Sequence, residues 1–163
     1  MISFLAIDFE TADNGRDSAC AVGLVRVDNG NIVKKETYLI RPPRRRIEFS
    51  SIHGIYWEDV CDKPTFRQLW PQIRLMMYGV DFLVAHNASF DRGVLHGCCE
   101  SARIEIPNLE FHCTMKLARQ LWNIYPTKLP DVCRHFDIPL NHHEAGSDVE
   151  ACALIMVEAL KEL

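Results

Sequence analysis

Ile2-Ser3-Phe4-Leu5-Ala6-Ile7-Asp8-Phe9-Glu10-Thr11 is the stretch on which the rest of the chain turns. Ile2, Phe4, Leu5 and Ile7 make a short apolar run of strand-forming residues, the pattern of a strand buried on both faces. Two carboxylates follow, Asp8 and Glu10, with Phe9 between them. Residues two apart in a strand share a face, so both acids project together from the end of a core strand. Like charges held that close are costly unless a cation or a proton neutralises them. Nothing basic lies beside them in sequence, which makes a hard divalent metal the natural partner. An acid pair of this spacing also occurs where a strand simply ends in solvent, so the remaining segments decide.

Working outward, Ala12 to Ser18 reads as a turn-rich loop and Ala21 to Val27 as a second strand. Asp28-Asn29-Gly30-Asn31 then supplies a hairpin turn into a third strand, Ile32 to Ile40. Tight connections between three strands imply an antiparallel meander. Arg41 to Arg46 carries four arginines around two prolines, either a solvated loop or one that contacts phosphate. Ser51 to Ile55 reads as irregular. Pro64 to Tyr78 places Phe66, Leu69, Trp70, Ile73, Leu75, Met76 and Met77 at roughly helical spacing. Phe82 to Ala85 is a short buried strand, and Ser89 offers a cap for a helix running to about Ala102. Another short strand is expected at Leu109 to His112, with helices at Thr114 to Trp122, Leu129 to Phe136 and Glu144 to Leu163. The fold class that follows is α/β: a mixed sheet, three antiparallel strands and then parallel ones, flanked by helices in a single domain over residues 1–163.

The composition is that of an ordinary globular protein, 48% hydrophobic and 25% charged, with a net charge of −4. No global basic excess marks a nucleic-acid binder, so contact with phosphate would need a local patch. Seven cysteines without a C-x-x-C pair or a leading signal sequence read as reduced, largely buried thiols of a cytoplasmic protein. No apolar run reaches the ~18 residues of a membrane span. The best, Leu75 to Ala85, is broken by Asp81.

Asp91 follows the short buried strand, in the first turn of a helix and close to Asn87. His143 and Asp148 stand five apart at the start of the last helix. Each has an ordinary explanation alone: helix-end chemistry for Asp91, a surface or capping histidine and an exposed helix acid for the others. Together with Asp8 and Glu10 they bring four carboxylates from three segments, a set that suits two divalent metals in an in-line phosphoryl displacement. A histidine that titrates near neutral pH suits deprotonation of an attacking water.

Asp8-Phe9-Glu10-Thr11, His86-Asn87-Ala88-Ser89-Phe90-Asp91 and His143-Glu144-Ala145-Gly146-Ser147-Asp148 resemble the three exonuclease motifs of the DEDD superfamily. A histidine with four residues between it and the last aspartate resembles the DEDDh branch, and within it the proofreading exonuclease subunit of bacterial DNA polymerase III. The resemblance spans nearly the whole chain. It implies a ribonuclease H-like fold and a 3′→5′ exonuclease that releases nucleoside 5′-monophosphates using two divalent cations, magnesium or manganese. It also implies that Asp8 bridges both cations, that Glu10 and Asp148 complete one site, and that Asp91 holds the second cation largely through water. His143 is then the general base, with His142 as the alternative that lacks the family spacing. Phe9, Thr11, His53, Ile55 and Asn87 are the expected substrate contacts, Phe9 and Ile55 as wedges against the terminal base. The expected partner is the 3′ end of single-stranded nucleic acid, DNA ahead of RNA, together with a DNA polymerase or a second copy of the chain. Two alternatives stand beside this: an exoribonuclease of the same family, and a nucleic-acid-binding module without catalysis. Where Gly146 and Ser147 stand the family often has leucine, so the loop carrying His143 is expected to be mobile without metal or substrate.

Overall fold

In the computed structural model, which describes residues 1–163, the strand Ser3–Thr11 (β1) lies at the centre of a five-stranded sheet. Ala19–Asp28 (β2) and Asn31–Leu39 (β3) pair antiparallel beside it as the expected meander. On the other side Phe82–Ala85 (β4) and Phe111–Cys113 (β5) run parallel to β1, giving the order β3-β2-β1-β4-β5. The ribonuclease H-like mixed sheet read from the sequence is the observed one. β1 is central because its apolar residues serve two layers: Phe4, Leu5, Ala6 and Ile7 are all fully buried.

The helices are Ser50–His53 (α1), Trp57–Val60 (α2), Phe66–Met77 (α3), Ala88–Ser101 (α4), Thr114–Trp122 (α5), Leu129–His135 (α6) and Ala145–Glu162 (α7). Leu5, Ile7 and Phe9 point to one side of the sheet, where Phe66, Leu69 and Ile73 of α3 and Val94, Leu95 and Cys98 of α4 complete the larger core. Phe4 and Ala6 point to the other side, against Val149, Cys152 and Met156 of α7. The alternation that fills both layers also sends Asp8 and Glu10 to the α7 side.

Several local expectations are corrected. The stretch Ser51 to Ile55 is not simply irregular, because it overlaps the short helix α1, closed by Gly54 in the left-handed conformation (φ 74°). Ser89 does not cap α4. Asn87 occupies that position, with φ 63° and ψ 57° and no side-chain capping bond, a left-handed turn that asparagine tolerates better than most residues. In α3 the capping pair is Thr65 with Gln68, and Leu75 faces solvent rather than the core. Gly146 stands in the first turn of α7, and the loop before it is tied by Asn141 N–H donating to Ser147 Oγ (2.7 Å) and His143 N–H donating to Asp148 Oδ2 (3.1 Å). No helix is long and apolar enough to cross a membrane.

Candidate active site

The carboxylates meet at the carboxyl ends of the parallel pair β1 and β4, where the sheet changes from antiparallel to parallel neighbours and where ligands commonly bind in open α/β sheets. A bulge between Glu10 and Thr11 ends the β1–β2 ladder there. The left-handed turn at Asn87 lets the chain reverse sharply from β4 into α4, and Asp91 points back so that its Oδ1 accepts the Phe9 N–H at 2.9 Å. Asp148 comes from the first turn of α7, the helix that packs over the face of the sheet to which Asp8 points. Ligand oxygens of Asp8, Glu10 and Asp148 lie within 4.8 Å of one another, and so do ligand atoms of His142, His143 and Asp148.

This charge is unbalanced. Asp8 Oδ2 is the one buried side-chain oxygen or nitrogen in the chain without a hydrogen-bond partner. Burial, then Asp91, Glu10 and Asp148, hold the Asp8 carboxyl well above the usual carboxylate range. Burial and the Asp148 charge push Glu10 up to about 7. Burial raises Asp91 to about 8 against the Phe9 N–H, which favours its charged form, with Glu10 and Asp148 adding to the rise. A buried acceptor without a donor and three carboxyls that resist ionisation are the chemistry of a divalent-cation site, and the all-oxygen core of the set suits magnesium or manganese. Asp8, Glu10 and Asp148 fit one such cation, and a second ligand group, which adds the imidazoles of His142 and His143, shares Asp148 with it.

A stability experiment tests this directly. An acid whose pKa rises on folding holds its proton more tightly when folded, so it destabilises the fold as pH climbs past its unfolded value towards its folded one. For Glu10 that range runs from 4.5 to about 7, and for Asp91 from 3.8 to about 8. His86, His96 and His143 lie below their ordinary 6.5, chiefly through burial, and act in the opposite sense at lower pH. Between pH 6.5 and 8 the carboxyls therefore dominate. In EDTA the metal-free protein should lose on the order of 2 kcal/mol across that interval, after discounting for the part of Glu10 that solvent reaches. That corresponds to a fall in Tm of about 4–8 °C, which magnesium should abolish. A Tm that neither falls nor responds to magnesium would remove the cation site.

The site opens into a cleft of about 450 Å³ that takes in Asp8, Phe9, Glu10, Thr11, His53, Asn87, His143 and Asp148. Of the two expected wedges, Phe9 lines the cleft but is almost wholly buried, and Ile55 lies outside its lining. Phe9 is only 3% exposed and its ring belongs to the larger core, because β1 sends it to the face opposite Asp8. Ile55 packs beside Ala12, Cys20 and Val60 away from the cleft. Among the apolar side chains that line the opening, Ile52 and Phe90 are the most exposed, at 52% and 46%. Phe90 lies inside the His86–Asp91 motif, and its position beside Asp91 at a helix start was the available signal. His53 has both ring nitrogens engaged: Nδ1 accepts the Ile55 N–H at 3.1 Å and Nε2 lies 2.9 Å from the Thr11 carbonyl, which fixes the Nε2–H tautomer. It ties α1 to the end of β1 as well as lining the cleft. His142, the alternative to His143, is the imidazole that meets Asp148, with Nδ1 at 3.2 Å from Oδ1, and its ring stacks on His143 with centroids 3.8 Å apart. Lys128, at the start of α6, also lines the cleft and was not singled out by its sequence surroundings.

Residues 5–156 match the exonuclease family RNase_T. The chain belongs to the RNase_T exonuclease family. Among its relatives, Exodeoxyribonuclease 10 of Escherichia coli K12 is 34% identical over 148 residues, covering 85% of this chain and 60% of that protein. The PolC-type DNA polymerase III of Bacillus subtilis is 30% identical over 169 residues, covering 98% of this chain but 12% of the polymerase. This RNase_T member thus spans less than two thirds of the length of the curated relatives it resembles. Among solved structures, Exonuclease X in complex with 5′ overhanging duplex DNA superposes with a TM-score of 0.79 at 29% identity, covering 98% of this chain and 92% of that one. The DEDDh resemblance carried by the three motifs is borne out by these matches.

Proposed function

We propose that this chain is a metal-dependent 3′→5′ exonuclease acting on single-stranded ends, with DNA preferred over RNA. The observation that carries the reading is the buried, unpartnered Asp8 Oδ2 at the centre of four converging carboxylates. The DNA preference is supported by relatives whose names or titles refer to DNA. Bound divalent cations would supply the charge that stabilises an in-line displacement at phosphorus. Asp8, Glu10 and Asp148 would hold one of them, and Asp8 with Asp91 the other. The part of the chain's own side chains is to position the 3′ end and move a proton. Thr11 and Asn87 contact the terminal nucleotide, while Ile52 and Phe90 present apolar surface to its base, a sequence-tolerant contact. His143 takes the proton from the attacking water. Burial and neighbouring His142 hold its pKa below 6.5, so it is neutral and able to accept at pH 7. His142, oriented on Asp148, keeps that carboxylate in place.

We extend the reading to a single exonuclease domain over residues 1–163 and to a reducing, cytoplasmic setting, which the seven unpaired cysteines support. A polymerase is the favoured macromolecular partner, supported by the match to polymerase III chains, ahead of a second copy of this chain.

The test is a time course on 5′-labelled single-stranded DNA and on matched RNA, with magnesium, with manganese and with EDTA. A ladder shortening from the 3′ end, abolished by EDTA and faster on DNA, is expected. His143→Ala should slow it by about 100-fold or more and His142→Ala by less, as the loss of a general base costs about 10²–10⁴. Strand retention without cleavage under either metal would leave a binding module, and faster loss of RNA would reverse the substrate preference.

A further inference from the structure

The loop between β1 and β2 is tightly built. Ala12 N–H donates to the Ser18 carbonyl (2.8 Å), Gly15 N–H to Asp13 Oδ1 (2.8 Å), and Ser18 Oγ to the carbonyls of Asp13 (2.9 Å) and Gly15 (2.7 Å). Arg44 pairs with Asp13 at 2.7 Å and with Asp17 at 2.5 Å, so both acids of the loop are neutralised by one arginine. Arg16, between them in sequence, has no carboxylate partner, and neither has Arg92 on α4.

Arg16 is instead laid along α4. A Cβ on Gly97 would come within 2.6 Å of the Arg16 carbonyl oxygen and Cβ, and one on Gly93 within 3.2 Å of its guanidinium nitrogens. Only glycine at position 97 admits that approach. Cys98 Sγ donates to the Arg16 carbonyl at 3.7 Å, and the residue as a whole still faces solvent. His96 is held below its ordinary pKa by burial and then by Arg92 and Arg16, with Glu100 acting the other way, so the basic groups lie close together.

Beside Arg16 runs a groove of about 470 Å³ that shares Thr11, Phe49 and Phe90 with the catalytic cleft and continues to Asn14 and Ser89. The cleft is lined by three carboxylates, with Asp91 buried beside them, in a chain of net charge −4, so a polyanion needs local cations to approach it. We propose that this groove is a phosphate-backbone subsite, where Arg16 in its wall, joined by Arg92 exposed on α4 outside its lining, holds the strand upstream of the nucleotide in the cleft. Asn14 and Ser89 add neutral donors for phosphate oxygens, and contacts of this kind position a strand without reading its sequence. The direction of the strand rests on the exonuclease reading; the cationic subsite does not.

The experiment compares two substrates on the magnesium-loaded full chain: the p-nitrophenyl ester of thymidine 5′-monophosphate, which reaches only the cleft, and a twelve-nucleotide oligothymidylate. The double variant Arg16→Gln/Arg92→Gln should raise KM for the oligonucleotide about tenfold at low salt with kcat changed less than about twofold. It should also flatten the dependence of log KM on log salt by about 0.7 for each phosphate that is no longer neutralised. KM for the ester should move far less, and Arg16→Lys should retain most of the affinity for the oligonucleotide. Equal shifts for both substrates would mean a structural role and overturn the subsite, as would no shift for either. If the unvaried protein cleaves nothing, the exonuclease reading fails by itself. Anisotropy of a labelled oligothymidylate then decides the subsite, which stands if the salt slope falls in the double variant and is lost if it does not.

Discussion

Asp8→Ala should lower nuclease turnover by about 1,000-fold or more while raising the Tm of the metal-free protein. The two effects have one cause. Asp8 Oδ2 is buried without a hydrogen bond, and its carboxyl faces Asp91, Glu10 and Asp148, so in the absence of cations it only adds repulsion and an unmet acceptor. An unsatisfied buried polar group costs about 1–3 kcal/mol. Removing it should offset the small void left by the missing carboxylate and raise Tm by a few °C. In turnover the sign reverses. The residue that would hold both cations is gone, several kcal/mol of charge stabilisation would go with it, and each 1.4 kcal/mol is about tenfold in rate. Thermal melts in EDTA and in magnesium, run beside the cleavage assay, separate the effects: the unvaried protein gains stability from magnesium and the variant gains little. A variant that keeps turnover, or that melts well below the unvaried protein in EDTA, would contradict this account of Asp8.

Much of that site is legible in the sequence because its signals are local. Alternation along β1 places Asp8 and Glu10 on one face, and the apolar run before them marks a central strand. The His86–Asp91 and His143–Asp148 segments are recognisable as motifs. What is not legible depends on packing between segments far apart in sequence. Helices α1 and α2 have four residues each, too few for any periodicity to declare itself. Phe9 and Ile55 look like wedges because they are apolar and next to site residues, yet the pleat of β1 gives Phe9 to the core, and Ile55 packs with Ala12, Cys20 and Val60. Of the four arginines in Arg41–Arg46, a loop whose sequence leaves phosphate contact open, Arg44 is spent on Asp13 and Asp17. Arg16, which has no carboxylate partner, has its place set by two glycines some eighty residues away on α4.

Gly23 shows the same dependence most sharply, and its replacement carries the second large expected effect. By β-propensity alone, alanine or valine in place of a strand glycine should strengthen the sheet. The structure predicts the opposite. Gly23 pairs directly with Asp8, and a Cβ there would come 2.4 Å from the Ala145 carbonyl oxygen and 2.7 Å from Val149 Cγ1. The first turn of α7 can therefore rest on the sheet only because that side chain is missing. It is this contact that brings Asp148 within ligand distance of Asp8 and Glu10. Gly23→Val cannot be relieved by a rotamer change, since the obstructing atom is backbone, so α7 must move. Overpacking of this kind costs about 1–3 kcal/mol, which lowers Tm by roughly 2–12 °C. Displacing Asp148 by about 1 Å should cost about 100-fold in turnover. Manganese affinity, measured by calorimetry on the folded variant, should fall in parallel, whereas a defect in folding alone would leave it intact. Gly23→Ala should show the same losses in smaller measure. Should either variant match the unvaried protein in Tm and turnover, the close approach of α7 to β2 would not be what positions Asp148.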